Sequence, residues 1–283
     1  MSTITETHPP APAPARATTS VSYKVTGRRV LRSEWAKLWS LRSSWITLTV
    51  GVVLMVAFGS IGALRYKSII NSGQPMDPDF ATATALSLAL FGVTFALIAL
   101  GVLGVLSTAG EYSTGMIRST LAAVPRRLPI LWSKAASYGA VALVVGLVGA
   151  FGAFLISSGV VSGTNAAMTF STAGVVRSLL GAGFYLGLVA VIGVALGAVL
   201  RSTAGGISTL VGAFLLVPGL MSLLPTAWKT NVNPYLPSNA GESMFTLHHT
   251  TGMLSAGAGA LVLLGWTALA LGGAAYRLVR SDA

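Results

Sequence analysis

The chain has 283 residues, 53% hydrophobic and only 9% charged, with a formal net charge of +11 and no cysteine. A soluble domain carries about 25% charged residues, so composition excludes an ordinary water-facing surface and leaves an all-α integral membrane protein with room for about six spans of ~20 residues. The basic residues cluster beside apolar runs, which fits lipid headgroups and excludes a nucleic-acid partner, and the missing cysteines exclude disulfides, thiolate chemistry and Cys-ligated metal.

Residues 1–22 are rich in Pro, Ala and Thr and predict a disordered tail. No secretory signal is read there, because the first apolar run starts at Ile46 and is long enough to span. Residues 23–45 interleave Arg28, Arg29, Arg32, Lys37 and Arg42 with Trp and Leu. Leu31, Trp35 and Leu38 fall on one helical stripe, which predicts a basic amphipathic helix in the headgroup plane. The six-span domain occupies residues 46–276. Its first span is Ile46–Leu64, ~28 Å long at 1.5 Å per residue. A polar loop from Arg65 to Phe80 precedes the second span, Ala81–Thr108. The third is Ala135–Ser158, followed by a small-residue loop, Gly159–Thr172. The fourth is 178–200 and the fifth Thr203–Leu224, joined by the short turn Arg201-Ser202. A polar connection, Trp228–Thr250, leads to the sixth span, Ser255–Tyr276, and residues 277–283 form a tail.

With six spans and the N-terminus inside, fourteen of the eighteen Lys and Arg fall on the inner side and four on the outer. The positive-inside rule then places both termini in the cytoplasm. Gly183 to Gly187 and Gly193 to Gly197 are two G-x-x-x-G spacings in the fourth span, where helices can approach closely. Pro218 and Pro225 predict a broken end to the fifth span, leading into a re-entrant or surface-lying segment.

Catalytic signatures are absent. There is no G-x-x-x-x-G-K-[ST], H-E-x-x-H or G-x-S-x-G, so the chain reads as no enzyme, with no phosphate loop for ATP hydrolysis. His248 and His249, near Glu242, lack a third ligand and read as an ordinary loop rather than a metal site. No span carries an ionisable residue near its middle, which disfavours a proton-coupled secondary transporter.

The stretch Gly110 to Lys134, GEYSTGMIRSTLAAVPRRLPILWSK, holds four of the eighteen basic residues between two long uncharged runs. Met116, Ile117 and Leu121 predict one face of a short helix, with Glu111 and Arg118 matched to its dipole and Pro125 ending it. Arg126 and Arg127 then lie at the headgroups, and Lys134, one turn into the third span, can snorkel back to them.

The pattern GEY-x-x-G-x-x-R-S-x-L-A-x-x-P-R-R, with a Lys seven residues on, resembles the loop after the second span of ABC-2-type permeases, the membrane subunits of bacterial ABC exporters. The stretch Ser33 to Ser43, SEWAKLWSLRS, is similar to the amphipathic segment before their first span. Met116-Ile117 depart mildly from the family's more usual Thr-Leu. The resemblance implies a cytoplasmic coupling helix between spans 2 and 3, seated in a separate ATPase subunit. Glu111, Gly115, Arg118, Pro125, Arg126, Arg127 and Lys134 are its expected coupling residues. Glu34, Trp35, Lys37 and Trp39 mark the expected connecting helix. The implied assembly has two permease chains, as a homodimer, and two ATPase chains in a bacterial plasma membrane. ATP and Mg would be bound by the partner, and no cofactor by this chain. The alternative is a non-transporting scaffold or immunity-type membrane protein whose loop docks a cytoplasmic partner.

Overall fold

The structure, a computed structural model, describes residues 26–75, 77–117, 127–221, 223–247 and 252–280. Among these there is no strand, and six helices are long and apolar enough to cross a membrane. They read as a multi-pass membrane protein. A shorter helix, α1 (Gly27–Ser40), precedes them and turns at an extended Leu41 into α2 (Arg42–Ser72).

Helix ends depart from the hydropathy boundaries, because helices stop at backbone-breaking residues and not where polarity begins. Arg65 and Lys67, expected in a loop, continue α2 for two more turns, until Gly73 takes a left-handed φ of 64° and its N–H caps the Ile70 carbonyl. A short turn of helix, α3 (Pro78–Ala81), follows. The second span is divided into α4 (Ala85–Leu90) and α5 (Val93–Ser113). Thr84 and Ser87 form a capping box that starts α4. The break falls at Phe91-Gly92, where Gly92 lies against the Met55 carbonyl of α2, and a β-carbon there would come within 2.1 Å of that oxygen. The third span, α6 (Leu128–Val160), begins seven residues before the expected Ala135, with Pro129 in its first turn.

The fourth span, α7 (Val175–Leu200), packs between α5 and α6. Its two glycine pairs serve different neighbours. Gly183 and Gly187 face Leu147 and Leu143 of α6, whereas Gly193 and Gly197 face the carbonyls of Gly101 and Val105 of α5. Six residues of helix rotate the chain by about 240° net, at ~100° per residue, which moves the second pair onto another face.

The fifth span runs through α8 (Thr203–Val211), a π-helical turn (Gly212–Leu216) and α9 (Val217–Met221). Pro218 therefore does not end it. The proline ring would crowd the carbonyl four residues back, and the wider turn upstream, closed by Val217 N–H to Gly212 O, accommodates it. The connection then forms α10 (Thr226–Asn231), a 3₁₀ turn (Asn233–Tyr235) and α11 (Pro237–Glu242). The last span, α12 (Ala256–Arg280), carries Arg277 and Arg280 in its final turn, where both extend the helix past Tyr276. Glycines seat α11 closely: a β-carbon on Gly241 would strike the Tyr185 ring of α7, and one on Gly259 of α12 would strike Ser243 Oγ.

Candidate functional site: a buried ion network joining three helices

Glu34, Lys37, Glu111 and Lys134 meet at one end of the bundle. Lys134 Nζ of α6 donates to Glu34 Oε2 at 2.6 Å and to Glu111 Oε1 at 3.0 Å. Lys37 Nζ donates to Glu34 Oε1 at 2.7 Å and to the same Glu111 oxygen at 3.0 Å. Two carboxylates and two ammoniums alternate around the cluster, so its formal charge is zero. Glu34, Glu111 and Lys134 are buried, while Lys37 is about a third exposed at 31%.

Local structure explains each placement. The inward face of α1 is Val30, Glu34 and Leu38, spaced four apart, and it packs against α6. Of the predicted stripe, Leu38 belongs to this inward face, whereas Leu31 and Trp35 are exposed. Glu111 is in the last turn of α5 and, like Thr108 and Ala109 before it, is buried. Lys134 does not snorkel to the headgroups. It turns inward, and its ammonium also lies 5.9 Å from the Tyr138 ring centre, one turn on. A lone buried ammonium costs several kcal/mol, and here two carboxylates offset that cost. Burial pushes the Glu34 carboxyl up, but the Lys134 and Lys37 ammoniums outweigh it and hold Glu34 below its ordinary value.

The elbow between α1 and α2 is packed by tryptophan. Trp39 lies 5.6 Å from Trp35 and 4.6 Å from Trp45, and Trp45 Nε1 donates to the Trp39 carbonyl at 3.0 Å across the elbow. α1 is thus tied to α2 by aromatic packing and to α5 and α6 by charge.

Of the predicted coupling residues, Glu111 and Lys134 enter the network, with Glu34 and Lys37 of the predicted connecting helix. Gly115 sits just past α5 with φ of 72°, a left-handed turn at which the chain leaves the helix. Arg127 donates to the Leu278 carbonyl near the end of α12, at 3.1 Å. Arg118, Pro125 and Arg126 lie outside the described residues, as do His248 and His249. Ser113, Thr114, Gly115 and Met116 are exposed where the loop begins.

Sequence reasoning missed two cations that brace this end. Arg201 caps α7 in a left-handed conformation (φ 53°) with its guanidinium 5.0 Å from the Tyr112 ring centre. Arg277 donates to the Val199 carbonyl at the end of α7. A cation at a helix C-terminus meets both the unpaired carbonyls and the negative end of the dipole. The only local signal was position: each follows or closes an apolar run.

Compared with known proteins, the chain matches no family model and no curated protein.

Proposed function

We propose that this chain is the membrane-spanning permease subunit of an ATP-driven exporter of the ABC-2 type, coupled to a separate ATPase that supplies the nucleotide site. The observation that carries this reading is the GEY…PRR sequence between the second and third spans, together with an ion network that joins both spans to α1. A push on residues 114–127 reaches α5 through Glu111 and α6 through Lys134, and the same two side chains hold Glu34 and Lys37 of α1. Such a joint transmits a displacement because its charges are buried and pairing them differently is costly.

In this reading the loop and α1 face the cytoplasm, two ATPase chains seat against the loops of two permease chains, and closure of the ATPase pair moves the three joined helices together. Exposed Met116 with Ser113 and Thr114, rather than buried Glu111, then offers the first surface to the ATPase. α1 lies along the headgroups with its exposed arginines toward anionic lipid. The setting is a bacterial plasma membrane with both termini inside.

The test is purification of the tagged full-length chain from its native membrane. A stoichiometric ATPase with a phosphate-binding loop is expected. A chain that comes away alone, or with a partner lacking a nucleotide site, overturns the exporter reading in favour of a docking scaffold. Reporter fusions after Gly73 and after Pro125 are expected on opposite sides of the membrane, and the same side for both removes the six-span topology.

A further inference from the structure

We propose that the cavity at the opposite end of the bundle is a binding site for a hydrophobic organic cation, with Glu242 as its counter-charge. The cavity measures about 1060 Å³ and lies between the α4–α5 break, α7, the π-helical turn and α11. That volume is at the upper end of the roughly 300–1,000 Å³ usual for small-molecule sites. Four aromatic side chains line it: Phe91, Tyr185, Phe214 and Phe245. Tyr185 is central to them, with ring centres 5.6 Å from Phe245 and 6.4 Å from Phe214.

Two observations point to a ligand. The first is where the spans break. Both interruptions of helical regularity inside the spans, at Phe91-Gly92 and at Gly212–Leu216, contribute wall residues to this one space. Interrupted membrane helices are tolerated where they border a cavity and recur at substrate sites. The second is charge. Glu242 is the one charged side chain on the wall, and among the described residues no Lys, Arg or His pairs with it. Glu242 is exposed and lines the cavity. Partial desolvation by the surrounding protein pushes its carboxyl above the ordinary value.

The wall chemistry selects among ligand classes. A carboxylate repels fatty acids and phosphates. An inorganic cation would want six or more oxygen ligands at short range, which a wide, mostly apolar space does not assemble. A delocalised or quaternary cation on an apolar body satisfies both wall types, because aromatic faces attract it as well as the carboxylate. Asn239, held by its amide on Asn233, leaves one polar edge beside Glu242. The site requires only this chain and does not depend on an ATPase.

The experiment is equilibrium dialysis of radiolabelled tetraphenylphosphonium against the full-length chain in detergent micelles. Protein-free micelles and tetraphenylborate, an anion of nearly the same shape, are the references. Saturable binding is expected, with the cation favoured over the anion by about tenfold, and Glu242→Gln should abolish that preference. Binding no greater than to empty micelles overturns the proposal, as does equal binding of the two ions or a preference that survives Glu242→Gln. Thr94→Trp, on the α5 wall, should reduce cation binding by filling the space. Should Glu242→Gln fail to give a monodisperse protein, unchanged binding by Thr94→Trp overturns the proposal instead.

Discussion

At one end of the bundle Glu34 and Glu111 share two lysines; at the other Glu242 faces a cavity with no paired cation among the described residues. Glu34 and Glu111 are buried whereas Glu242 is exposed on the cavity wall, and the treatment of their charge is opposite. Where charge is neutralised inside the fold, it fixes the relative position of three helices, and any ligand would have to break existing bonds. Where it is left uncompensated, the fold itself has little need of the acid, and attraction remains for something from outside. An acid is therefore read by its neighbours: the first kind is a joint, the second a receptor.

The contrast can be broken most severely by removing Lys134, the buried cation of the network. Lys134→Met leaves two carboxylates facing one partly exposed lysine, and should cost about 3–5 kcal/mol, read as a large fall in the thermal unfolding midpoint in detergent. Glu34→Gln added to Lys134→Met leaves one carboxylate facing one lysine and should recover part of that loss; failure to recover would show that packing, not charge, dominates there. Gly193→Leu lies between the two ends. Its side chain would begin 2.3 Å from the Gly101 carbonyl and wedge α5 from α7, at a cost of about 1–3 kcal/mol, and should loosen network and cavity together. Lys37→Met should cost only about 1 kcal/mol, because its ammonium is partly solvated.

Acid sharpens the comparison through its sign. Glu34 has a lowered folded-state pKa, so the stability it contributes is present above its ordinary value of 4.5 and is lost as pH falls through the lower folded value. Glu242 has a raised one, so its favourable contribution is complete below 4.5 and is lost as pH rises through the higher folded value. Melting curves from pH 4 to 7 should therefore show Glu242→Gln more stable than the parent near neutrality, with the gap closing in acid. Glu34→Gln should be less stable near neutrality, and should converge with the parent only below pH 4.5. Tyr185 lines the cavity beside Glu242, and Lys37, Lys134 and Glu111 surround Glu34. The smallest effect expected is from Trp266→Phe, which removes the 2.9 Å bond from its indole N–H to the Tyr235 carbonyl beneath the cavity segment. On an exposed pair that should cost about 0.5 kcal/mol.

The six apolar helices were legible because ~20 residues of uninterrupted hydropathy admit few other solutions. Their ends were not, since Arg65 to Ser72 are polar yet helical, and only Gly73 supplies a stop. All four network residues stood out in the sequence, but as contacts for a partner. Nothing local says that Glu34 and Lys134, a hundred residues apart, meet; that depends on α1 lying along α6. A signal was nevertheless available. Glu34 shares its helical face with Val30 and Leu38, and Lys134 interrupts an apolar run, and a charge in each such place asks for an opposite one. At the cavity, Glu242 stood out only as a neighbour of two histidines. Its exposure to an aromatic chamber rests on Gly241, whose missing side chain lets Tyr185 lie against α11, and no periodicity reports that.

The continuation of α2 to Ser72 has a consequence for how the protein meets bilayers of different thickness. Thirty-one residues make a rod of about 46 Å, against ~30 Å of hydrocarbon. Tilt within the usual 0–40° leaves more than a turn outside the oil. That excess ends in Arg65, Lys67 and Ser72 on one side and begins with Arg42 on the other. A thicker membrane can draw Leu64 and its neighbours inward, and a thinner one can release them, without breaking a backbone hydrogen bond. Reconstitution in lipids of graded chain length should thus change the depth of this helix more readily than its fold.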